Sequence, residues 1–360
     1  MSVMQPAPDY RLGIIEGFFG PAWSWQARTA YAGFLADQGF NTYVYAPKQD
    51  ARLRRQWHQP HPAAELDALV ALARHYRAHR LCFGIGLSPF ELYRDFNAQA
   101  RAQLVDKLAQ LNTCEPALLC ILFDDMVGDL HDLAATQLAI VDCIVQHSNA
   151  SAFAVCPTYY SDDPLLTRHF GAQPATYLDE LGSGLDPAID VFWTGPRVIS
   201  SHYPPEHLAA VATRLRRKPL LWDNYPVNDA QRLVDFLHLA PFPGRDCNQL
   251  REHCAGHLAN PMNQAFLSQL PLHGLAAQYR GNTASPEALF ANACNTLCPP
   301  ALARLLIEDA ERFQHAGLAR FTPAEKAALQ ARYHAHSHPM AAEIRQWLND
   351  QFAFDPACLT

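Results

Sequence analysis

Short apolar runs rich in β-branched and aromatic residues recur along the chain, and longer amphipathic stretches separate them. Continuous apolar runs suit strands buried on both faces, whereas apolar positions every three to four residues suit helices. The first half gives four such pairs. Leu12–Gly17 leads to a helix over Trp25–Gln38, Thr42–Ala46 to Ala63–His79, Leu81–Leu87 to Asn97–Leu111, and Leu118–Phe123 to Leu133–His147. The second half continues with Ala152–Cys156 and Tyr177–Leu181, then Ile189–Trp193 and Pro205–Arg217. Pro219–Trp222 and Asp229–Leu239 follow, then Gly256–Asn260 and Gln264–Gln278. Eight strand-then-helix units predict an α/β fold, a (β/α)8 TIM barrel. A doubly wound open sheet is the alternative, but it usually carries a phosphate-cradling loop, and Gly84-Ile-Gly86 does not complete that pattern.

From Ser285 onward only helical periodicity remains, over Pro286–Leu297, Ala301–Ala316, Thr322–His334 and Met340–Phe352. Thr322-Pro-Ala-Glu325 reads as a capping box. The expected organisation is a catalytic barrel over 1–282 and a C-terminal helical bundle over 283–360, a bundle that could serve a homodimer interface.

Composition narrows the partners. A formal net charge of −7 argues against nucleic acid and anionic membranes, since phosphate contact wants a basic surface. Arg52, Arg54 and Arg55 form only a small cluster and read as a solvated helix face. Met1 to Arg11 shows no secretory leader, and no apolar run is long enough to span a membrane. Ten scattered cysteines, several inside apolar runs, fit reduced thiols in a cytoplasmic protein.

In a βα barrel the residues just past the strand ends line the active face. Here they are Glu16 and Gly17, Lys48, Ser88, Asp124 and Asp125, Thr158 and Tyr160, Thr194, Asp223 and Asn224, Asn228 and Asp229, and Asn260. Acids, amides, hydroxyls and a lysine suit a polyhydroxylated ligand, and Trp193, Trp222 and Tyr160 could face the apolar patches of a sugar. The adjacent pair Asp124-Asp125 is central. Two neighbouring carboxylates repel, so one tends to hold its proton, as a glycosidic leaving oxygen requires. Adjacent residues do not easily straddle a sugar as a nucleophile and acid would. A substrate-assisted route, in which the sugar's own 2-acetamido oxygen attacks the anomeric carbon, removes that difficulty.

Several motifs appear in order: Glu16-Gly-Phe-Phe-Gly20, Tyr45-Ala-Pro-Lys48, Phe123-Asp-Asp125, Cys156-Pro-Thr158, Trp193-Thr-Gly-Pro196 with Val198-Ile-Ser200, Leu221-Trp-Asp-Asn224 with Asn228-Asp229, and Asn260-Pro-Met262. Over roughly Leu12 to Tyr279 the chain resembles glycoside hydrolase family 84, the β-N-acetylglucosaminidases that include protein O-GlcNAcase. The resemblance implies a retaining exo-β-N-acetylglucosaminidase working through an oxazoline, without metal or organic cofactor. Its substrate would be a GlcNAc-bearing glycoside, glycopeptide or glycoprotein. By resemblance, Asp124 orients and polarises the acetamido group, Asp125 is the general acid/base, and Tyr160 hydrogen-bonds the oxazoline. Asn224 would contact the acetamide and Trp222 would wall its methyl, while Gly17, Lys48, Asp229 and Asn260 would hold the hydroxyls. Phe19, Ala22, Gln49 and Tyr159 depart from the family's usual residues and flank these positions.

His253, Cys254 and His257 have a spacing that could ligate a metal, but no second ligand cluster accompanies them and packing is favoured. Two competing functions remain: a catalytically weak GlcNAc-binding barrel or scaffold, and a metal-dependent barrel hydrolase.

Overall fold

The computed structural model describes residues 9–358. Eight parallel strands close into one barrel in chain order. They are β1 Arg11–Ile15, β2 Thr42–Tyr45, β3 Cys82–Leu87, β4 Leu118–Leu122, β5 Ala152–Cys156, β6 Asp190–Trp193, β7 Leu220–Asp223 and β8 Gly256–Ala259. Closure pairs Arg11 with Gly256 and Ile14 with Ala259. Gly84 and Gly86 are needed inside the barrel: a Cβ on Gly86 would lie 2.5 Å from the Ala46 Cβ.

Helices α1 Trp25–Gln38, α2 Ala63–Ala78, α3 Ala98–Asn112 and α4 Leu133–His147 follow the first four strands. β5 is followed by two helices, α5 Pro164–Phe170 and α6 Tyr177–Gly184, and β6 by α7 Pro205–Leu215. α8 Cys247–His253 makes the crossover after β7, and α9 Gln269–Tyr279 follows β8. Four more helices come after them: α10 Pro286–Leu297, α11 Pro300–Glu311, α12 Pro323–His334 and α13 Pro339–Leu348. Polar caps set several starts, with Ser24, Asn97 and Ser285 accepting backbone N–H bonds and Thr322 forming the capping box with Glu325.

Residues 229–239, expected as a helix, form turns over 231–235 and irregular backbone around them instead. Their backbone is engaged elsewhere: the Leu237 N–H donates to Phe313 O at 3.0 Å, and the Gln314 Oε1 accepts from Leu239 and Ala240 at 3.1 and 2.8 Å. Donors committed across to the C-terminal helices are lost to an i→i−4 ladder. The expected Gln264–Gln278 helix begins only at Gln269.

Two cores result. One fills the barrel and the space under its helices. The other joins Leu237, Leu239, Met262 and Leu267 to Phe313, Tyr333, Ile344 and Trp347, so it draws on both sides of residue 282. Among the described residues no helix is long and apolar enough to cross a membrane. The stretch read for a leader lies, up to residue 8, outside the described residues.

Candidate active site

β4 is buried along its whole length and delivers Phe123 and then Asp124 and Asp125 to the C-terminal mouth of the barrel. Side chains of an extended strand alternate between faces, so two successive residues do not ordinarily share a pocket. Asp125 breaks the alternation with φ +56°, a left-handed conformation that costs about 1–3 kcal/mol and collects at functional sites. Cross-strand bonds hold the turn: the Phe123 N–H donates to Cys156 O and the Thr158 hydroxyl to Phe123 O, both at 2.9 Å. Both carboxylates line one cavity, together with Gly17, Lys48, Tyr160, Trp222, Asn224, Asp229 and Asn260. All nine positions to which the resemblance assigned a role therefore meet.

Lys48, brought by the loop after β2, ion-pairs with the Asp124 Oδ2 and lies 3.5 Å from the Asp125 Oδ2. Burial works against its ammonium, but the two carboxylates outweigh that and lift its pKa above the ordinary lysine value. The second oxygen of Asp124, Oδ1, is buried without a partner. An acceptor left open in this way costs free energy unless something entering the cavity donates to it. The Tyr160 hydroxyl donates to Asp125 Oδ1 at 3.0 Å. Burial, reinforced by the Asp125 charge, pushes the phenol well above its usual range, so it stays a donor.

Across the cavity a chain of bonds fixes the amides. Gly17 N–H donates to Asn260 Oδ1 at 3.1 Å, and Asn260 Nδ2 to Asn224 Oδ1 at 2.9 Å. The Trp222 indole N–H also donates to Asn224 Oδ1, at 3.0 Å. Gly17 has no room for a side chain, since a Cβ would lie 2.1 Å from Trp222 Cζ2. Asp229 accepts the Phe19 N–H at 2.8 Å, yet burial raises its carboxyl to about 6.

Other strand-end residues serve the framework. Glu16 is buried against Arg28 at 3.0 Å, and Asp223 against Arg245 at 2.6 Å and His257 at 3.0 Å. His257 is thereby occupied, and Cys254 is buried in a small core with Leu250. Asn228 donates to Phe236 O and Gln264 Oε1. Trp193, expected to face a sugar, is fully buried and donates to His207.

The sequence reading also missed residues. Arg54, read as part of a solvated face, is 5% exposed, with its guanidinium 4.8 Å from the Phe90 ring and 5.6 Å from the Phe19 ring. Apolar neighbours distant in sequence bury it, and the run of arginines does not signal them. Val198 and Ile199 line the cavity from the loop after β6, and Cys358 reaches it from beyond α13. The first two lay within a quoted motif; nothing local pointed to Cys358. Cys156 lines the cavity too, but burial holds its thiol well above the ordinary range.

A family model described as beta-N-acetylglucosaminidase matches residues 12–306. Protein O-GlcNAcase of Rattus norvegicus and that of Mus musculus are each 29% identical over 285 residues, covering 77% of this chain and 30% of theirs. The chain thus spans less than a third of the length of these relatives. Among solved structures, a mutant of the Thermobaculum terrenum O-GlcNAc hydrolase superposes with a TM-score of 0.75 at 29% identity, covering 95% of this chain and 81% of that one.

Proposed function

The chain belongs to the beta-N-acetylglucosaminidase family, glycoside hydrolase family 84, and from that premise we propose that it removes terminal β-linked N-acetylglucosamine with retention, using the substrate's own acetamido group. The observation that carries this reading is the open Oδ1 of Asp124 beside Asp125 in one cavity. Oδ2 of Asp124 is taken by Lys48, so Oδ1 is left to accept the acetamido N–H. That bond aims the acetamido oxygen at the anomeric carbon and increases its nucleophilicity. As the C–O bond to carbon 1 forms, the glycosidic C–O bond breaks and the leaving oxygen takes the proton of Asp125. The N–H proton passes to Asp124 Oδ1, and the resulting oxazoline is held by the Tyr160 hydroxyl. Asp125 then deprotonates a water that attacks carbon 1, the oxazoline reopens as its nitrogen takes the proton back from Asp124, and two inversions give net retention.

In the same reading Asn224 and Trp222 enclose the acetamide, and Gly17, Lys48, Asp229 and Asn260 bind hydroxyls. Two carboxylates on successive residues, both within reach of Lys48, suit this route better than a pair flanking the bond from opposite sides. The substrates are taken to be GlcNAc-bearing glycosides or glycopeptides, as the names of the relatives indicate. A bacterial-type, cytoplasmic enzyme is inferred with them; thiols such as Cys120 and Cys294, buried and raised in pKa, fit a reducing compartment.

The test replaces the acetamido group of an aryl β-N-acetylglucosaminide by mono-, di- and trifluoroacetamido groups. Each fluorine weakens the attacking oxygen, so kcat should fall stepwise along the series. A flat series would overturn the reading, and no release from the parent glycoside by folded protein would favour a binding barrel.

A further inference from the structure

A second hollow borders the site. Val198 and Ile199 wall both cavities, and the neighbouring one measures about 370 Å3 against about 60 Å3 for the site itself. Arg168 on α5, Arg197 in the loop after β6 and Arg232 in the turns after β7 line it, with Asp163 as the single acid. Asp163 is already engaged. It accepts the Leu165 N–H at 3.0 Å and the Val198 N–H at 3.2 Å, and lies 3.5 Å from Arg197. Among the described residues Arg168 and Arg232 have neither an ion pair nor a side-chain hydrogen bond. Three guanidiniums against one occupied carboxylate make a local positive field on a chain whose net charge is −7.

The narrow site encloses the terminal sugar, so whatever the glycosidic oxygen carries must run outward along the rim. One stretch of that rim, Val198 and Ile199, leads to the arginines. Pro164 and Leu165 complete the lining, and no aromatic ring is present on which a second pyranose could stack. We propose that this hollow is a leaving-group subsite for an acidic peptide, in which Arg168 and Arg232 take Asp or Glu side chains flanking a glycosylated serine or threonine. This rests on the reading of the site as a β-N-acetylglucosaminidase, and the measurements below separate the two.

The experiment compares kcat/KM for GlcNAc-serine peptides carrying flanking Asp and Glu with the same peptides carrying Asn and Gln. It uses the wild type and a double variant, Arg168→Glu with Arg232→Glu; both positions are exposed. The wild type should favour the acidic peptide by about tenfold at low salt, as two exposed ion pairs allow, and less as salt is raised. The double variant should lose that preference while keeping its rate on an aryl glycoside. Equal rates for acidic and amide peptides would overturn the subsite, as would a preference that survives charge reversal. So would arginine dependence confined to GlcNAc linked to a uronic acid. If the aryl glycoside itself is not hydrolysed, the reading of the site fails. Fluorescence anisotropy with labelled acidic and amide GlcNAc-peptides then still decides the subsite, and equal affinities would overturn it.

Discussion

At the scale of single residues, the site works through groups left half-satisfied. Asp124 has one oxygen bound to Lys48 and one open, and Asp125 is held by Tyr160 in a backbone conformation its type rarely adopts. Asp229 adds a titration within reach of experiment. Burial lifts its carboxyl from the ordinary value to about 6, so it is neutral below that pH and charged above it. A charged carboxylate accepts hydroxyl hydrogen bonds more strongly than a neutral one. KM should therefore fall as pH rises through about 6 in the wild type. Asp229→Asn should remove that acid limb from the kcat/KM profile as well as weaken binding. An identical limb in the variant would assign the titration to another group.

At the scale of elements, a buried Asp223–Arg245–His257 cluster ties β7 to β8 through the segment before α8. The Arg245 charge, acting against burial, holds the Asp223 carboxyl far below the ordinary range. Its stabilising effect is thus present above the unfolded value and lost as pH falls through the folded one. Asp223→Asn leaves Arg245 buried without its counter-charge, which should cost about 3–5 kcal/mol in urea unfolding at neutral pH. A loss too small to move the urea midpoint would mean that the cluster is dispensable. Asp223 was legible in the sequence as a polar strand end, but not as a framework acid, because its partner lies twenty-two residues away in the segment before α8. The strands themselves were legible, since continuous apolar runs such as Leu118–Leu122 have one stable environment. Residues 229–239 were not. Their periodicity is genuine, but bonds to Phe313 and Gln314 decide their backbone, and those partners lie more than seventy residues downstream. Trp193 and Arg54 were misplaced for a related reason: burial of a large side chain depends on the elements packed over it, not on its neighbours in sequence.

At the scale of the whole molecule, the barrel gathers nine residues from six strand ends into one cavity, and the C-terminal helices complete its surroundings. Glu343 on α13 accepts the N–H groups of Phe266 and Leu267, and Trp347 donates to Val234 O, so the second core braces the loops after β7 and β8. This bracing keeps Asp229 and Asn260 opposite the Asp124–Asp125 pair. Division of labour within that pair is the central claim, and a leaving-group series measures it most directly. Values of kcat/KM, which report the steps up to oxazoline formation and not its hydrolysis, are compared for Asp124→Asn, Asp125→Asn and wild type on aryl β-N-acetylglucosaminides of graded leaving-group acidity. A good leaving group needs no proton, so Asp125→Asn should lose little on the most acidic phenol and progressively more as acidity falls, whereas Asp124→Asn should lose rate evenly across the series. An even loss for Asp125→Asn, or a graded one for Asp124→Asn, would contradict the assignment.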